Sequence, residues 1–313
     1  MKTELSIIIV NWNGESFLPN CLKSIAENPP SVPYEVLLID NASSDGSVKW
    51  LKSEEAKEIL SNTNFKLIES NENLGFGRAN NLIIKQTKAP YVFLLNPDTI
   101  VRAKAIDRLL ESLKAEEKIG VTVPKLLHAD GSLQPSVWAS PNPVTILCET
   151  LFYRVLPKAV YKNWLYGPHW DYAEKRAVPI VCAAAMMVKR TVIDKVGAFD
   201  EDFHMYGEDL EWAKRITNNG WDLVFVPESE IHHLYGQSSA QRWTSIEKQV
   251  TMGKAFILFQ KKSLPAWLFF SNILTAIFVG NVYLLVNIFN KVEFTRYRNL
   301  LNVQFVALKD FFN

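Results

Sequence analysis

Between residues 5 and 124 short apolar runs alternate with segments of helical periodicity, and that alternation leaves few folds open. The runs at 5–10, 36–39, 65–68, 91–95 and 119–124 are largely apolar, the first of them rich in isoleucine. Strands buried on both faces read this way, as in parallel sheets covered by helices. Between them, 17–26 and 103–116 carry apolar residues at helical spacing. Ser43-Ser44-Asp45 offers an N-cap to a helix reaching about residue 60. A loop bearing Gly75 and Gly77 opens a further short helix before the run at 91–95. The rhythm predicts an α/β protein built on a Rossmann-like, mostly parallel open sheet with helices on both faces.

After Pro124 the pattern changes. His128 to Leu133 predicts a hairpin with its turn at Asp130-Gly131. Residues 138–178, rich in aromatics and prolines, read as a long, partly helical excursion; 178–188 and 223–226 read as strands, and 209–218 and 242–262 as helices. Residues 264–289 carry no charged side chain, with Lys261-Lys262 before them and Lys291, Arg296 and Arg298 after. Three readings stay open: a membrane span or re-entrant hairpin, a helix or pair lying in the membrane interface, and a core or homodimer helix. Each buries the apolar surface, because so large a patch does not stay exposed. The net charge is +1 and no basic stripe is interleaved with aromatics, so nucleic acid is not an expected partner. Cys21, Cys148 and Cys182 have neither disulfide-framework nor metal-ligand spacing, which suits a reducing compartment. The apolar run at the N-terminus is too short for a signal peptide and reads as the first core strand.

Ligands of open α/β sheets bind beyond the carboxyl ends of the strands, so the residues at those tips carry the functional expectation. Asn96-Pro97-Asp98 follows the run at 91–95 directly. A single carboxylate there can hold Mg2+ or Mn2+, because such ions keep waters and substrate phosphates as further ligands; a turn aspartate is the plain alternative. Asp40 ends the second strand and could accept a hydrogen bond from a base imide or a ribose hydroxyl, or, with Asn41, simply satisfy loop donors. Arg78 and Asn80 lie in the glycine-bearing segment, where a guanidinium could fork onto a diphosphate. Glu208 and Asp209 open a helix, which complements its dipole; adjacent acids also raise one another's pKa toward that of a general base. His232 and His233 would face opposite sides of a strand, so that one could meet a metal while the other points away.

The ordered set IIIVNWNG (7–14), LLIDNASSDGS (37–47), NENLGFGRANN (71–81), LLNPDT (94–99), VCAAAMMVKR (181–190), FDEDFHMYGEDLEW (199–212) and HLYGQS (233–238) resembles the family 2 glycosyltransferases of GT-A fold, in particular their bacterial rhamnosyltransferase-like branch. The resemblance covers roughly residues 5–240. It implies a nucleotide-sugar glycosyltransferase domain over 1–240; the helical segment over 241–313 that follows keeps its three readings, membrane association among them. It implies an inverting, Mg2+- or Mn2+-dependent transferase at the cytoplasmic face of the cell membrane, serving cell-surface polysaccharide synthesis. The donor would be dTDP-rhamnose or a UDP-sugar, and the acceptor a saccharide or a polyprenyl-linked saccharide. By the same resemblance Asp209 is the catalytic base with Glu208 beside it. Asn11, Asn13, Asp40, Asn41, Arg78, Asn80, Asn96 and Asp98 line the donor, Asp98 and His233 hold the metal, and Ala183, Ala184 and Ala185 form the small-residue strand on the acceptor side. Asn96 departs from the aspartate that many relatives carry. A sugar-1-phosphate nucleotidyltransferase would need a glycine- and arginine-rich loop after the first strand, where Asn11-Trp12-Asn13-Gly14 stands. A noncatalytic carbohydrate- or membrane-binding scaffold would not need both Asp98 and Asp209.

Overall fold

The computed structural model describes residues 2–153, 155–157, 161, 164–234 and 245–312. The alternation becomes β1 (Leu5–Asn11), α1 (Leu18–Glu27), β2 (Tyr34–Asp40), α2 (Ser47–Leu51), α3 (Glu54–Ile59), β3 (Asn64–Glu69), α4 (Phe76–Ile84), β4 (Tyr91–Leu95), β5 (Thr99–Val101), α5 (Ala105–Ala115) and β6 (Ile119–Leu127). Strands β3, β2, β1 and β4 lie side by side and parallel. Ile7, Ile8 and Ile9 are fully buried in the middle of β1. Burying each such side chain stabilises the fold by about 1.5–3 kcal/mol.

The chain forms two compact units, Met1–Val137 with Tyr172–Ser238, and Trp138–Asp171 with Ser239–Asn313. In the first, β6 turns back through the expected hairpin into β7 (Leu133–Gln134), which precedes β8 (Val137–Trp138). After the excursion come β9 (Arg176–Ala177), β10 (Ile180–Val181), β11 (Ala185–Lys189), α7 (Arg190–Val196), α8 (Glu208–Asn218) and β12 (Asp222–His233). β11 enters the sheet antiparallel between β4 and β6, and β12 runs parallel to β6 beyond it. The carboxyl ends of β1, β2, β4 and β12 therefore gather at one sheet edge, where β11 begins.

Three local expectations are corrected. The helix expected over 43–60 is two short helices, because the Ser53 hydroxyl accepts the Ala56 N–H and caps a new start. The strand expected over 178–188 is interrupted at 182–184, which leaves those backbone groups free of the ladder. The strand expected over 223–226 runs on to His233. Pro227 falls where the pairing register shifts, between Val226 and Glu230, so the irregularity hides the second half from any period-2 reading. That second half pairs with β5, which at three residues is too short for periodicity to reveal.

The second unit holds α6 (Pro143–Leu147), a π turn (Cys148–Phe152), and three long helices, α9 (Ser245–Ser263), α10 (Ala266–Val286) and α11 (Lys291–Phe312). Of the helix expected over 242–262, residues 242–244 lie outside the described residues. Asn272, which reads in the sequence as a blemish on the apolar segment, is buried and donates to Gln260 Oε1 (2.8 Å) and Pro141 O (3.0 Å). The Tyr283 hydroxyl donates to Thr150 O, and its ring stacks on Tyr297 at 4.6 Å. At 21 residues α10 is long and apolar enough to cross a membrane, and only 22% of its apolar window is buried by protein.

Candidate active site

Three loops at the carboxyl edge are knitted together by their own polar side chains. Asp40 is 2% exposed. Its Oδ1 accepts from Asn11 Nδ2 (2.9 Å) and Ser43 Oγ (2.6 Å), and its Oδ2 from Ser43 N (2.9 Å). A carboxylate offers about four acceptor sites, so Asp40 serves the loop and keeps room for another donor. Asn11 Oδ1 is buried without a hydrogen-bond partner among the described residues. Gly14 is required beside it: a Cβ there would stand 2.1 Å from Asn11 Oδ1. Asn13, at φ 51°, accepts from Ser44 N (2.8 Å). Asn41 donates to Asn73 Oδ1 (3.1 Å) and Gly75 O (3.3 Å) and accepts from Leu74 N (2.9 Å). Its amide is thus spent on tethering the loop before α4.

Arg78 and Asn80 are placed less directly. Arg78 is exposed, with Nε 3.7 Å from Glu201 Oε2. Asn80 is buried and donates to Phe76 O in its own helix (3.0 Å). Neither is hydrogen-bonded or ion-paired to Asp40 or Asp98 among the described residues. Asn81, which the sequence did not single out, clamps the 199–201 loop: it donates to Phe199 O (2.9 Å) and Glu201 Oε1 (3.0 Å) and accepts from Phe199 N (3.0 Å).

At the tip of β4 the Thr99 hydroxyl donates to Asn96 O (2.7 Å) and tightens the turn that carries Asp98. The Cys21 thiol packs at 3.7 Å from Asn96 O, and burial pushes its pKa up to about 12, so it stays a thiol. His233 pairs in register with Thr99 across β12 and β5, which brings its Nε2 to 3.3 Å from Asp98 Oδ1 and 3.5 Å from Asn96 Nδ2. Asp98 and His233 are both buried. His232 faces the other way, as the alternation requires, with Nδ1 against His128 O at 2.9 Å.

Gln134 orders this pair. Its Oε1 stands 2.8 Å from His233 Nδ1. An amide oxygen only accepts, so Nδ1 carries the proton, and in the neutral ring the lone pair of Nε2 faces Asp98. A cation seated there would be shared by the carboxylate oxygen and the ring nitrogen. A carboxylate oxygen and an imidazole nitrogen are both groups that a divalent ion can take as ligands. Among the described residues no cluster of three or more His, Cys, Asp or Glu forms. Asp98 and His233, with Asn96 beside them, would hold such an ion only with ligands from substrate or water. The turn that positions Gln134 was legible at Asp130-Gly131; that β6, its partner strand, would lie beside β12 was not.

The second acidic site starts α8. Gly207, at φ 84°, makes the turn that points the helix start at the sheet edge. Asp209 Oδ2 accepts from Ala183 N (3.1 Å) and Oδ1 from Leu210 N (2.9 Å). Ala184 O accepts from Asn96 N (2.8 Å). The unladdered stretch 182–184 is therefore where the two acid-bearing loops meet: its amide holds Asp209, and its carbonyl holds the turn of Asp98. Ala185 then begins β11 opposite Leu95. Bulkier side chains at 183–185 would fill this junction.

Burial raises the pKa of both acids. Glu208 is pushed up to about 8, first by desolvation and then by the charge of Asp209, and its Oε2 has no hydrogen-bond partner among the described residues. Asp209 is raised by desolvation, against which its two backbone N–H donors act in favour of the anion. Burial thus favours the protonated form of both acids, and the backbone N–H donors at Asp209 act against it there. Cys182 sits between strand and acids, its thiol pushed far up by burial and then by Asp209. Glu211 leaves the site and pairs with Arg215 (2.8 Å), while Trp212 is fully buried and donates to Gly197 O.

This arrangement has relatives. Residues 6–197 match the family model of glycosyl transferase family 2. The N-acetylglucosaminyl-diphospho-decaprenol L-rhamnosyltransferase of Mycobacterium tuberculosis is 27% identical over 255 residues, 77% of this chain and 79% of its own. A low-salt glycan biosynthesis hexosyltransferase of Haloferax volcanii is 27% identical over 69% of this chain and 62% of its own. In fold, the mannosyltransferase PcManGT of Pyrobaculum calidifontis, solved with GDP-Man and Mn2+, superimposes with a TM-score of 0.56 at 16% identity, over 98% of this chain and 86% of that one. TarS 1–349 of S. aureus, solved with UDP-GlcNAc, gives 0.58 at 14% identity, over 99% and 80%. With a family match spanning well over half of the chain, on a sheet that superimposes on GT-A enzymes, the protein belongs to glycosyl transferase family 2 and is a glycosyltransferase.

Proposed function

We propose that the protein transfers a sugar, rhamnose by preference, from a nucleoside diphosphate to a hydroxyl of a saccharide or polyprenyl-linked saccharide, with inversion at the anomeric carbon. The observation that carries this reading is the docking of both acid-bearing loops on Ala183 and Ala184. A metal-facing carboxylate and a general base that must act on one substrate need a shared mount of this kind. The relative from Mycobacterium tuberculosis, whose name specifies rhamnose and a decaprenol-linked acceptor, supports the choice of sugar and acceptor; dTDP-rhamnose is the first donor to test and UDP-sugars the next.

In this reading Asp40 takes the base through its spare acceptor capacity, and Asn11 offers its unpartnered Oδ1 near the same loop. Asp98 and His233 hold Mg2+ or Mn2+; when bound, the ion offsets the charge that builds on the departing diphosphate. Arg78, exposed at the start of α4, adds a guanidinium toward the diphosphate by exchanging Glu201 for substrate. Asp209, ionised while Glu208 stays protonated, removes the proton from the acceptor hydroxyl as that oxygen attacks the face opposite the leaving group. The small side chains of Ala183 and Ala184 leave room for the approach.

The uncovered apolar face of α10, with Trp267, Phe278 and Leu285 exposed and Lys261, Lys262 and Lys291 at its ends, supports contact with the inner leaflet and work on cell-envelope glycans at the cytoplasmic side. The test is a panel of nucleotide sugars incubated with the enzyme, with and without Mg2+ or Mn2+. Metal-dependent release of nucleoside diphosphate from dTDP-rhamnose above all others is the expected result. Metal-independent release, or preference for a GDP-sugar, would overturn the donor assignment.

A further inference from the structure

A groove of ≈ 620 Å³ opens within the helical unit, between α9, α10 and α11. Its apolar wall is formed by Ile257, Phe269 and Val303, all buried, which also form the small core of the three helices. Lys254 and Lys261, seven residues apart on α9 and therefore on one face, stand at its rim with Asn302 of α11. Neither lysine is ion-paired among the described residues, and no carboxylate lines the groove. The wider stretch 245–312 carries eight Lys and Arg against three Asp and Glu.

An apolar trough with a cationic rim free of carboxylates is complementary to a hydrocarbon chain with an anionic head, and a chain ending in phosphate is the one that the proposed acceptor supplies. Pockets of 300–1,000 Å³ take drug-sized ligands, so this one would take the first few isoprene units of a long chain and leave the rest to the bilayer or detergent. We propose that this groove binds the isoprenoid phosphate end of the lipid-linked acceptor, with Lys254 and Lys261 on the phosphate groups and the prenyl chain along Val250, Leu258 and Val306, over the buried floor of Ile257, Phe269 and Val303. This deepens the function proposed above and rests on its acceptor class. The helical unit then works as a tail anchor, raising the local concentration of the acceptor sugar for the catalytic unit on the same chain.

The experiment uses the full chain in nonionic detergent with radiolabelled decaprenyl phosphate as the probe. Lys254→Glu with Lys261→Glu reverses the rim charge. Asn302→Trp fills the mouth without changing charge. Each changes only exposed positions, and circular dichroism with thermal unfolding checks the fold. Saturable binding to the wild type is expected, weakened about tenfold by either change: the lysine reversals remove charge-assisted contacts, and the ring introduced by Asn302→Trp obstructs the prenyl chain. Metal-dependent donor hydrolysis should be unaffected in both variants. Binding that survives both changes overturns the proposal. So does an Asn302→Trp variant that loses phosphatidylglycerol vesicles and the probe equally, which would make the groove a general lipid surface. A third overturning result is a wild-type dimer that Asn302→Trp dissociates while probe binding stays intact, which would seat a second copy there. Absence of donor hydrolysis from the wild type, with the expected pattern of probe binding, would sink the function proposed above and leave the groove assignment standing.

Discussion

Two buried carboxylate sites share one edge of the sheet and are built in opposite ways. Asp98 faces the imidazole of His233, which Gln134 holds from its other ring nitrogen. Asp209 pairs with no cationic side chain among the described residues; it is held by backbone N–H groups, and beside it burial pushes Glu208 up to about 8. In the function proposed above, the same functional group serves cation binding in one place and proton abstraction in the other, and what surrounds it makes the difference.

The sharpest break of this comparison is Asp209→Asn. It should lower transfer by about 10²–10⁴-fold, the usual worth of a general base, while calorimetry shows donor affinity nearly unchanged. Near-normal turnover would move the base to Glu208 and erase the contrast. Asp98→Ala should do the reverse, lowering turnover by about 10²-fold through lost electrostatic stabilisation and removing the metal dependence of donor binding. Unchanged donor affinity with added Mg2+ would contradict it. Gln134→Leu is milder. By freeing the imidazole tautomer it should weaken metal affinity by about 10–100-fold and leave donor affinity without metal unaltered, as read by Mn2+ titration.

The smallest effect sharpens the acid pair. The folded-state pKa of Glu208, about 8, lies above its ordinary value of 4.5. Between those values the folded protein holds a proton that the unfolded chain has released. The stability contributed by Glu208 is therefore fully present below pH 4.5 and is lost as pH rises through about 8. Glu208→Gln should flatten the fall in urea midpoint between pH 5 and pH 8. If wild type and variant fall equally, the desolvated acid is elsewhere.

The chemistry-bearing residues were legible wherever they ended a strand that the hydrophobic rhythm revealed. Asp40 and Asp98 stand at such tips, and Asp209 opens a helix of clear periodicity. Asn81 and Gln134 were not legible, because each matters only through a partner more than 90 residues away in sequence. The interruption at 182–184 was equally hidden. VCAAAMM reads as continuous strand, and its backbone groups outside the ladder go to Ser136, Asp209 and Asn96 instead.

By itself the sequence determined the layered α/β plan, because runs apolar on both faces have to be covered from both sides, and it placed Asp40 and Asp98 at the sheet edge, because they follow such runs. The tertiary structure decided what each carboxylate meets there. Neighbouring strands, the antiparallel insertion of β11 and the buried environment of Glu208 are long-range outcomes, and a carboxyl group takes its protonation and its partners from the atoms packed around it rather than from its place in the chain.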